Sequence, residues 1–272
     1  GAYGFRESEI RKFLVSNYPK SLQKLSAGEF DKLLRELMLF RAKDMLDYIS
    51  KYLSKYFINV FYITPLRYNF TRYMRYKDLA VDFIAPDGRN VMEYIASLSN
   101  SEIELYNDFL KRTLNISTSI KGEENKGIFI INADGEEDNI VDVGYGLSQV
   151  LPIATMLWDK AYKLNADSIV RTIVIEQPEV HLHPHMQAKL AHLFIEAINL
   201  AKTRGNKLCL VVETHSSVLV NQFGRCVYYN KTKHKSDYSN IKASSEDITI
   251  YLFEKKKGVT NIVGSGFNEM GR

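Results

Sequence analysis

Two short apolar runs of this chain each end in a cluster of polar residues whose types could bind a nucleotide. The runs open the segments Thr172–Pro184 (TIVIEQPEVHLHP) and Leu208–Ser217 (LCLVVETHSS). Both are β-branched and too short for a helix, so each predicts a buried parallel strand. Polar groups just beyond the carboxyl ends of neighbouring strands are where open α/β sheets bind ligands. Carboxylates and a histidine there could hold a Mg²⁺ shell and contact a γ-phosphate, so a nucleotide site is the leading hypothesis.

The first segment carries two carboxylates, Glu176 and Glu179, on either side of Gln177 and Pro178. Glu176 directly follows apolar residues, where an isolated carboxylate would be desolvated unless a cation met it. This position favours Glu176 as a ligand of Mg²⁺ or of its bound water. The alternative is that the two glutamates form a helix cap or a salt bridge in a loop.

The second segment places His215 at the predicted end of its strand, beside Ser216 and Ser217. Either serine could cap the helix that follows. A lone histidine is most often structural, but the carboxyl end of a parallel strand is also a ligand-binding position. Both interpretations stay open for His215.

A glycine-containing segment, Asp142–Gln149 (DVGYGLSQ), comes directly before a predicted helix. Ser148 is expected to be the N-cap of that helix, which would stabilise it by about 1 kcal/mol. The free amides and dipole of a helix N-terminus attract anions, and Gly144 and Gly146 would let a phosphate approach the backbone. The alternative is a strand-to-helix turn that merely needs glycine, since short glycine motifs often match by chance.

Three histidines alternate along the chain at His181, His183 and His185. In an extended segment alternate residues share a face, so these imidazoles, with His215, could converge on Zn²⁺ as in a metal-dependent hydrolase. No Cys or Asp cluster completes the ligand shell, and a complete eight-fold barrel would need about 250 residues. Histidines that hydrogen-bond within a loop are the favoured interpretation.

A different kind of surface is predicted at Arg67–Lys77 (RYNFTRYMRYK), which mixes four basic residues with four aromatic ones. Such a segment could stack bases and hold the phosphates of a nucleic acid. It could equally be a structured loop whose rings pack inward and whose arginines pair with acidic neighbours.

Composition places few limits on function. The chain has 272 residues, of which 45% are hydrophobic and 25% charged, and its net charge is +4. These values suit one large α/β domain or two small ones, and the charge is too small to indicate nucleic acid or a membrane. No apolar run approaches the roughly 18–20 residues that span a bilayer. Cys209 and Cys226 are expected to be buried thiols of a cytoplasmic protein, without a membrane partner.

The spacing of apolar residues predicts a helical segment over residues 6–56, broken at Ser26–Gly28, and then an α/β region. The predicted elements of that region are strand Phe57–Thr64, helices Val91–Leu98 and Ile103–Leu114, strands Gly127–Ala133 and Ile140–Val143, helix Leu147–Leu164, strand Ile169–Ile175, helix His185–Arg204, strand Lys207–Val212, helix Ser217–Phe223, strand Arg225–Tyr229 and a hairpin of Asp247–Phe253 with Val259–Val263. The alternation from Leu147 onward predicts a mostly parallel sheet with right-handed crossovers.

Taken in order, these motifs resemble the carboxyl-terminal half of an ABC-type ATPase head. The chain is most similar to the prokaryotic ATPases grouped with RecF, SMC and OLD (overcoming lysogenization defect) proteins, and in particular to stand-alone ATPases of the IEQPE–HLHP type that are often linked to phage defence. In that family DVGYGLSQ takes the place of the ABC signature and TIVIEQPE that of Walker B, while VHLHP replaces the D-loop and VVETHSS carries the switch histidine. The resemblance implies a P-loop-type head lobe over residues 57–272, preceded by a helical segment over residues 1–56.

The resemblance also implies roles for particular residues. The residues expected to contact ATP are Gly144, Gly146, Ser148, Gln149 and His183. Glu176 would hold Mg²⁺, and His215 would sense the γ-phosphate. Either Gln177 or Glu179 would position the attacking water. Each site would need Gly146 and Ser148 from the opposite subunit, so a homodimer with ATP sandwiched between its subunits is implied.

The chain departs from the family pattern in one large respect. No G-x-x-x-x-G-K-[ST] phosphate loop occurs in the 272 residues, so nothing in the chain cradles the α- and β-phosphates. Smaller departures are Glu176 in place of the Walker B aspartate, Gln177 in place of the catalytic glutamate and His183 in place of the D-loop aspartate. The expected explanation is an amino-terminal half, outside this chain, that carries the Walker A loop. Its absence would leave an unpaired sheet edge.

The predicted function is that of an ATP-hydrolysing head with ATP and Mg²⁺ as cofactors, which acts as a nucleotide-gated dimerisation switch in a DNA-linked or phage-defence process. The chain alone is expected to be inactive, and an effector protein or DNA is an expected partner. Two alternatives stay open. One is a metal-dependent hydrolase that uses the alternating histidines, and the other is a non-enzymatic binding module with a vestigial ATPase fold.

Overall fold

The computed structural model describes residues 16, 26–75, 81–164, 169–232, 243–268 and 271 of the chain. Contacts divide the chain into two compact units, Gly1–Phe57 and Ile58–Arg272. No helix among the described residues is both long and apolar enough to cross a membrane. All the motifs of the predicted nucleotide site lie in the second unit.

The described part of the first unit is one long helix, α1 (Ala27–Phe57). Ser26 precedes it, and the backbone N–H and hydroxyl of Ser26 donate to the Glu29 carboxylate at 2.9 and 2.6 Å. These are bonds of a helix-capping arrangement. The predicted break at this point is therefore the beginning of α1, and Gly28 lies in its first turn. The rest of the predicted helical segment lies outside the described residues, except for Ser16, which is helical.

The second unit contains nine strands and five longer helices among its described residues. In chain order these are β1 (Val60–Ile63), β2 (Met74–Arg75), α2 (Val91–Ser97), α3 (Asn100–Leu114), β3 (Ile116–Lys121), β4 (Asn125–Asn132), β5 (Glu137–Asn139), α4 (Tyr145–Tyr162), β6 (Arg171–Glu176), α5 (Pro184–Thr203), β7 (Leu208–Glu213), α6 (Ser217–Thr232), β8 (Thr249–Lys256) and β9 (Val259–Gly266).

The centre of the second unit is a parallel sheet with the strand order β1-β6-β7. Its register pairs Ile63 with Ile175, and Glu176 with Glu213. The predicted α/β class with a parallel sheet is therefore confirmed. β1 is shorter than the predicted strand because α1 continues as far as Phe57.

The two faces of this sheet differ. One face contributes Ile63 and Ile175 to the buried core, together with residues of α4 and α5. The other face carries Tyr62, Val211 and Cys209, which are exposed, Val211 to 51%. Cys209 was expected to be buried, and it is exposed because the uncovered face carries it. Parallel sheets are normally covered on both faces, so the described residues leave this face without its usual cover.

A second sheet is antiparallel, with the order β2-β4-β3 and β5 also paired to β4. β4 matches a predicted strand, and a turn over residues 133–135 follows it. The predicted strand Ile140–Val143 is wrong, because β5 lies just before it and residues 140–142 form a turn. Ile140 is apolar because it is fully buried in the core at that turn. β3 escaped prediction because four of the six residues in its sequence, ISTSIK, are polar.

α6 is a single helix where the sequence predicts a helix and then a strand. The predicted division falls at Gly224, where an added Cβ would lie 2.3 Å from the carbonyl oxygen of Gly271. This glycine therefore gives the terminal segment room to approach the helix and does not end it. The predicted strand Arg225–Tyr229 is wrong, and Cys226 is buried within α6.

The predicted carboxyl-terminal hairpin is confirmed as β8 paired with β9. Its turn residues Lys257 and Gly258 have φ angles of 51° and 80°, as a two-residue type I′ turn requires. Apolar side chains are exposed on both faces, with Leu252 54% exposed on one and Phe253 65% exposed on the other. An isolated two-stranded hairpin is marginally stable, and the described residues leave the apolar side chains on both of its faces exposed.

A buried carboxylate, Asp159 on α4, joins this helix to α2. Tyr94 donates its hydroxyl to Asp159, and the ammonium groups of Lys160 and Lys163 lie 2.7 and 3.1 Å from the Asp159 oxygens. Burial by itself raises the pKa of Asp159, but Lys160, Tyr94 and Lys163 together outweigh burial, so the pKa is lowered. The ionised form of this group is therefore part of the folded state.

We expect Tyr94→Phe to lower the free energy of unfolding by about 1.5–3 kcal/mol at pH 7, because a hydrogen bond to a buried charged group is lost. The exposed Tyr251→Phe is the matched control and should change stability by less than about 0.5 kcal/mol. Because the pKa of Asp159 is lowered in the folded state, the stability that ionised Asp159 provides is present above its ordinary value of 3.8 and is lost below it. This stability is lost progressively as the pH falls from 3.8 through the lowered folded-state pKa. Urea unfolding at pH 7, 5 and 2 should therefore show a smaller Tyr94→Phe effect at the lowest pH, and an effect independent of pH would contradict this account.

Candidate functional site

The glycine-containing segment leads directly into α4. Gly144 is the N-cap of the helix, with a φ of 90°, and residues with a Cβ disfavour that conformation. Gly146 lies in the first turn, where an added Cβ would touch only Leu182, at 3.6 Å. The backbone at residue 146 is therefore open to a group that approaches from outside the described residues.

Ser148 is not the N-cap, contrary to the sequence prediction. It lies within the first turn of α4, is buried, and donates its hydroxyl to the Tyr145 carbonyl at 2.7 Å. The helix begins earlier than predicted because Gly144 adopts the positive φ from which it starts. Any contact of Ser148 with a phosphate stays a prediction. Its hydroxyl hydrogen is already donated to the Tyr145 carbonyl.

Glu176 ends β6 and is paired with Glu213, which ends β7. Directly paired residues of neighbouring strands point to the same face, so the two carboxylates lie side by side. The Tyr62 hydroxyl of β1 donates to Glu176, and mainly this hydrogen bond raises the pKa of Tyr62. Adjacent like charges repel, so this pair suits a position that a divalent cation neutralises. Glu213 was not predicted as a site residue, although it follows its apolar run just as Glu176 does.

The loop after β6 is compact and holds two residues in left-handed conformations. Gln177 has a φ of 40° and His181 a φ of 62°. The Gln177 N–H donates to the Glu213 carbonyl at 2.9 Å, and the Leu182 N–H donates to the Glu179 carbonyl at 3.0 Å. A positive φ costs a residue with a Cβ on the order of 1–3 kcal/mol, and such residues concentrate at functional sites.

Glu179 connects the loop after β6 to the loop after β7. Its Oε1 accepts the backbone N–H of His215 at 2.7 Å. Its Oε2 is buried and has no hydrogen-bond partner within the described residues. Both residues line a shallow depression of about 300 Å³, whose other lining residues are Gln187, Ser216, Ser217 and Val218. The structure thus brings two of the predicted site residues together.

The loop after β7 is fixed by Ser216, which caps α6. The Ser216 hydroxyl accepts the Leu219 N–H at 3.0 Å and donates to the Gln187 side-chain oxygen at 2.6 Å. Ser216, and not Ser217, is therefore the cap. His215 is exposed beside this helix terminus, where helix amides and dipole favour an anion.

The alternating histidines do not converge. His181 packs edge-on against the Tyr145 ring, with 5.2 Å between the ring centroids. His183 is the N-cap of α5, and its Nδ1 accepts the His185 N–H at 3.3 Å. Across the described ranges, no three His, Cys, Asp or Glu side chains are grouped so that they could hold a metal ion. The metal-dependent hydrolase therefore has no ligand cluster in this part of the chain.

Arg67 was not predicted as a site residue, yet it joins two of the site's segments. It is 5% exposed, its Nε donates to the Gln149 oxygen at 3.4 Å, and its Nη2 donates to the Pro178 carbonyl at 3.3 Å. Burial lowers the pKa of Arg67 to about 10, although the charge of Glu179 acts in the opposite direction. The available sequence signal was its position shortly after a predicted strand, at the edge where the other strand ends meet.

The rest of Arg67–Lys77 has features of both interpretations, because Tyr68 and Tyr73 are 44% and 53% exposed while other side chains are buried or paired within the chain. Arg72 makes a two-pronged ion pair with Asp142, at 2.6 and 2.7 Å. Phe70 is buried. Tyr76 and Lys77 lie outside the described residues. Arg67 and Arg72 therefore contact both ends of the segment Asp142–Gln149, and their charges are committed within the chain.

Comparison with known proteins gives one family match. A family model described as an AAA ATPase domain matches residues 43–220, which is more than half of the chain. No curated protein matches the chain.

Several solved structures share a weak likeness with the chain. One, titled as a study of ATP-driven dimerization and DNA-stimulated activation of SMC ATPases, is 13% identical with a TM-score of 0.40, over 64% of this chain and 87% of that one. Another, an Smc head domain with an extended coiled coil bound to the C-terminal domain of ScpA, derived from Pyrococcus furiosus, is 13% identical with a TM-score of 0.38, over 61% of this chain and 34% of that one. A third, an Smc head domain with a coiled coil and joint from Pyrococcus yayanosii, is 11% identical with a TM-score of 0.38, over 97% of this chain and 44% of that one. Scores at this level carry no conclusion about function.

The family match spans the three segments that the sequence analysis compares with Walker B, the ABC signature and the switch loop, since all three lie within residues 43–220. It confirms the ATPase identification that the motifs suggested. The chain therefore belongs to the AAA ATPase domain family and is an ATPase-type nucleotide-binding module.

Proposed function

We propose that this chain is the signature, Walker B and switch-histidine half of a head that binds and hydrolyses ATP and dimerises while ATP is bound. The observation that carries the proposal is the contact of Glu179 with His215, at 2.7 Å. It joins the loop after Walker B to the switch loop at the carboxyl edge of a parallel sheet. Open α/β sheets bind their ligands at that edge.

Glu176 and Glu213 are the residues that would hold Mg²⁺ or its bound waters. Their adjacent carboxylates supply the hard oxygen ligands that this ion prefers. When bound, the ion neutralises charge on the phosphates. The neighbouring Tyr62 hydroxyl, whose pKa the Glu176 carboxylate raises, would orient that ligand.

Glu179 is the residue we propose as general base. Its carboxylate can take a proton from the attacking water, and its bond to the His215 N–H fixes its orientation. His215 would contact the γ-phosphate from the amino-terminal end of α6. Gln177, as an amide, can orient water but cannot take its proton.

The α- and β-phosphates need a phosphate loop that no segment of the 272 residues supplies. We propose that an additional segment contributes this loop and covers the exposed face of β1, β6 and β7. The second subunit of an ATP-sandwich homodimer would contribute its own signature segment. We also propose an effector protein or DNA as a further partner, in a DNA-linked or phage-defence process.

A second candidate function is a non-enzymatic binding module that keeps the ATPase fold without turnover. The observation that favours it is Gln177, an amide that cannot take a proton from water, at the position of the catalytic glutamate. If replacement of Glu179 abolishes ATP hydrolysis by the complete protein, this candidate is excluded.

We expect residues 1–272 alone to bind ATP with a dissociation constant weaker than about 1 mM, because most nucleotide affinity comes from the phosphate loop. A complete protein that includes such a loop should bind Mg·ATP in the micromolar range. Isothermal calorimetry on both would test this. Micromolar binding to residues 1–272 alone would contradict the proposed division of the site, and no binding to either would contradict the proposed function.

A further inference from the structure

Arg67 is a buried cation, and none of the residue roles proposed above explains why a positive charge is buried there. The residue is 5% exposed, and its guanidinium reaches two elements that are distant in sequence. The Nε donates to the side chain of Gln149 on α4, and the Nη2 donates to the backbone carbonyl of Pro178 in the loop after β6. A buried guanidinium is costly unless its donors are used, so a structural need alone would favour complete pairing.

Pairing in this cluster is incomplete. The buried atoms Arg67 Nη1, Gln149 Nε2 and Glu179 Oε2 have no hydrogen-bond partner among the residues that the structure describes. Two of these atoms are donors and one is an acceptor. Each buried polar atom that lacks a partner costs about 1–3 kcal/mol. The three together mark an arrangement that would gain hydrogen bonds if its parts moved together or if a polar group entered.

The cluster also forms a continuous path between two parts of the proposed site. Gln149, at the end of the signature segment, contacts Arg67, and Arg67 contacts the carbonyl of Pro178. The next residue, Glu179, holds the backbone N–H of His215. One end of this path faces the nucleotide of the opposite subunit, and the other end faces the nucleotide of the same subunit. This last statement rests on the proposed function.

We propose that Arg67 is a positioning residue for ATP hydrolysis, which couples the signature helix α4 to the loop that carries Glu179 and, through it, to His215. Closure of a second subunit on α4 would then move Glu179 through the guanidinium. Arginine suits this task because its planar fork donates in two fixed directions at once. Lysine has a single ammonium group and does not reproduce that geometry.

The first test needs no nucleotide and uses residues 1–272. In Arg67→Lys, the His215 amide should exchange with deuterium at least about tenfold faster, because the loop that carries its acceptor, Glu179, is no longer held at the Pro178 carbonyl. Amides of the β3–β4 ladder should keep their exchange rates, which would show that the variant is folded. An unchanged exchange rate at His215 in a folded variant would contradict the proposed coupling of Arg67 to the Glu179 loop. This conclusion would not depend on whether the protein hydrolyses ATP.

The second test uses the complete protein with its phosphate loop. Arg67→Lys and Arg67→Gln should each lower kcat for ATP by about 10–100-fold, since a displaced catalytic group typically costs that much. KM should change less than about threefold, because the phosphate loop is untouched. The double variant Arg67→Gln with Gln149→Leu should be no slower than Arg67→Gln, because both changes cut the same path.

Arg89→Gln is the matched control, since Arg89 is an exposed arginine that pairs only locally with Asp87. It should leave kcat and the exchange rate at His215 unchanged. If Arg67→Lys keeps full kcat in a protein whose wild type hydrolyses ATP, the positioning role is wrong. If the wild type does not hydrolyse ATP, the proposed function is wrong, and the exchange experiment alone decides whether Arg67 couples the two loops.

Discussion

Glu179→Gln should lower steady-state ATP hydrolysis by the complete protein about 10²–10⁴-fold, the usual loss when a general base is removed. The substitution preserves the geometry, because the glutamine carbonyl can still accept the His215 N–H that Glu179 holds at 2.7 Å. It removes only the ability to take a proton from water. ATP affinity should stay within about threefold of wild type, since the phosphate loop supplies most of it. Phosphate release and ATP binding, measured on the same preparation, would check both statements.

Gln177→Glu separates the two candidates for the water-positioning residue. If Glu179 is the base, adding a carboxylate at residue 177 should change the rate little, because Gln177 has a strained φ of 40° and its N–H is held by the Glu213 carbonyl. If Gln177 occupies the position of the base, Gln177→Glu should speed turnover, and Glu179→Gln should then have little effect. The two hypotheses therefore predict opposite effects of these two substitutions on the rate of phosphate release.

A slow head would spend most of its cycle with ATP bound. Glu179→Gln should therefore lengthen the lifetime of the ATP-bound dimer in proportion to its loss of hydrolysis, as expected of a switch. Dimer lifetime can be followed by dilution into ATP-free buffer with light scattering. A shorter lifetime than wild type would show that Glu179 contributes to dimer contacts and is not mainly a base.

The parallel sheet could be predicted from the sequence because β6 and β7 each consist mainly of consecutive apolar residues, as is typical of strands in parallel sheets. The helix α5 was equally clear, since Pro184 begins it and an apolar stripe runs along it. The mistakes fall where packing overrides local pattern. Ile140 is apolar in a turn because the core surrounds it, and Gly224 lies within a helix because Gly271 approaches it closely.

The sequence predicted those site residues that directly follow a recognisable strand. It did not predict contacts that folding makes between residues distant in sequence. Glu179 and His215 could be named because each follows an apolar strand, although their contact across the sheet edge could not. Arg67 gave only a weak signal, since its partners lie 82 and 111 residues away. Ser148 was misjudged because serine is a frequent N-cap, whereas the positive φ of Gly144 set the beginning of the helix.

The second large effect is expected at Gly146, which the family resemblance places at the dimer contact together with Ser148. Ser148 is buried, so a large side chain there would disturb α4 itself. At Gly146 an added Cβ would meet only Leu182, at 3.6 Å, so the chain tolerates a small side chain. In the proposed dimer this backbone faces the γ-phosphate bound on the opposite subunit.

Gly146→Asp should therefore leave the fold and ATP binding to the same subunit intact while opposing dimerisation. A carboxylate placed against the phosphates of the other subunit costs several kcal/mol, which is on the order of 10²–10³-fold in the ATP-dependent dimerisation constant. Gly146→Ala is the control, and it should weaken the dimer much less, because it adds a methyl group and no charge. Sedimentation with and without ATP would measure both variants. Equal dimerisation of Gly146→Asp and wild type would mean that α4 does not face the nucleotide of a second subunit, whereas a loss that high salt relieves would identify the repulsion as electrostatic.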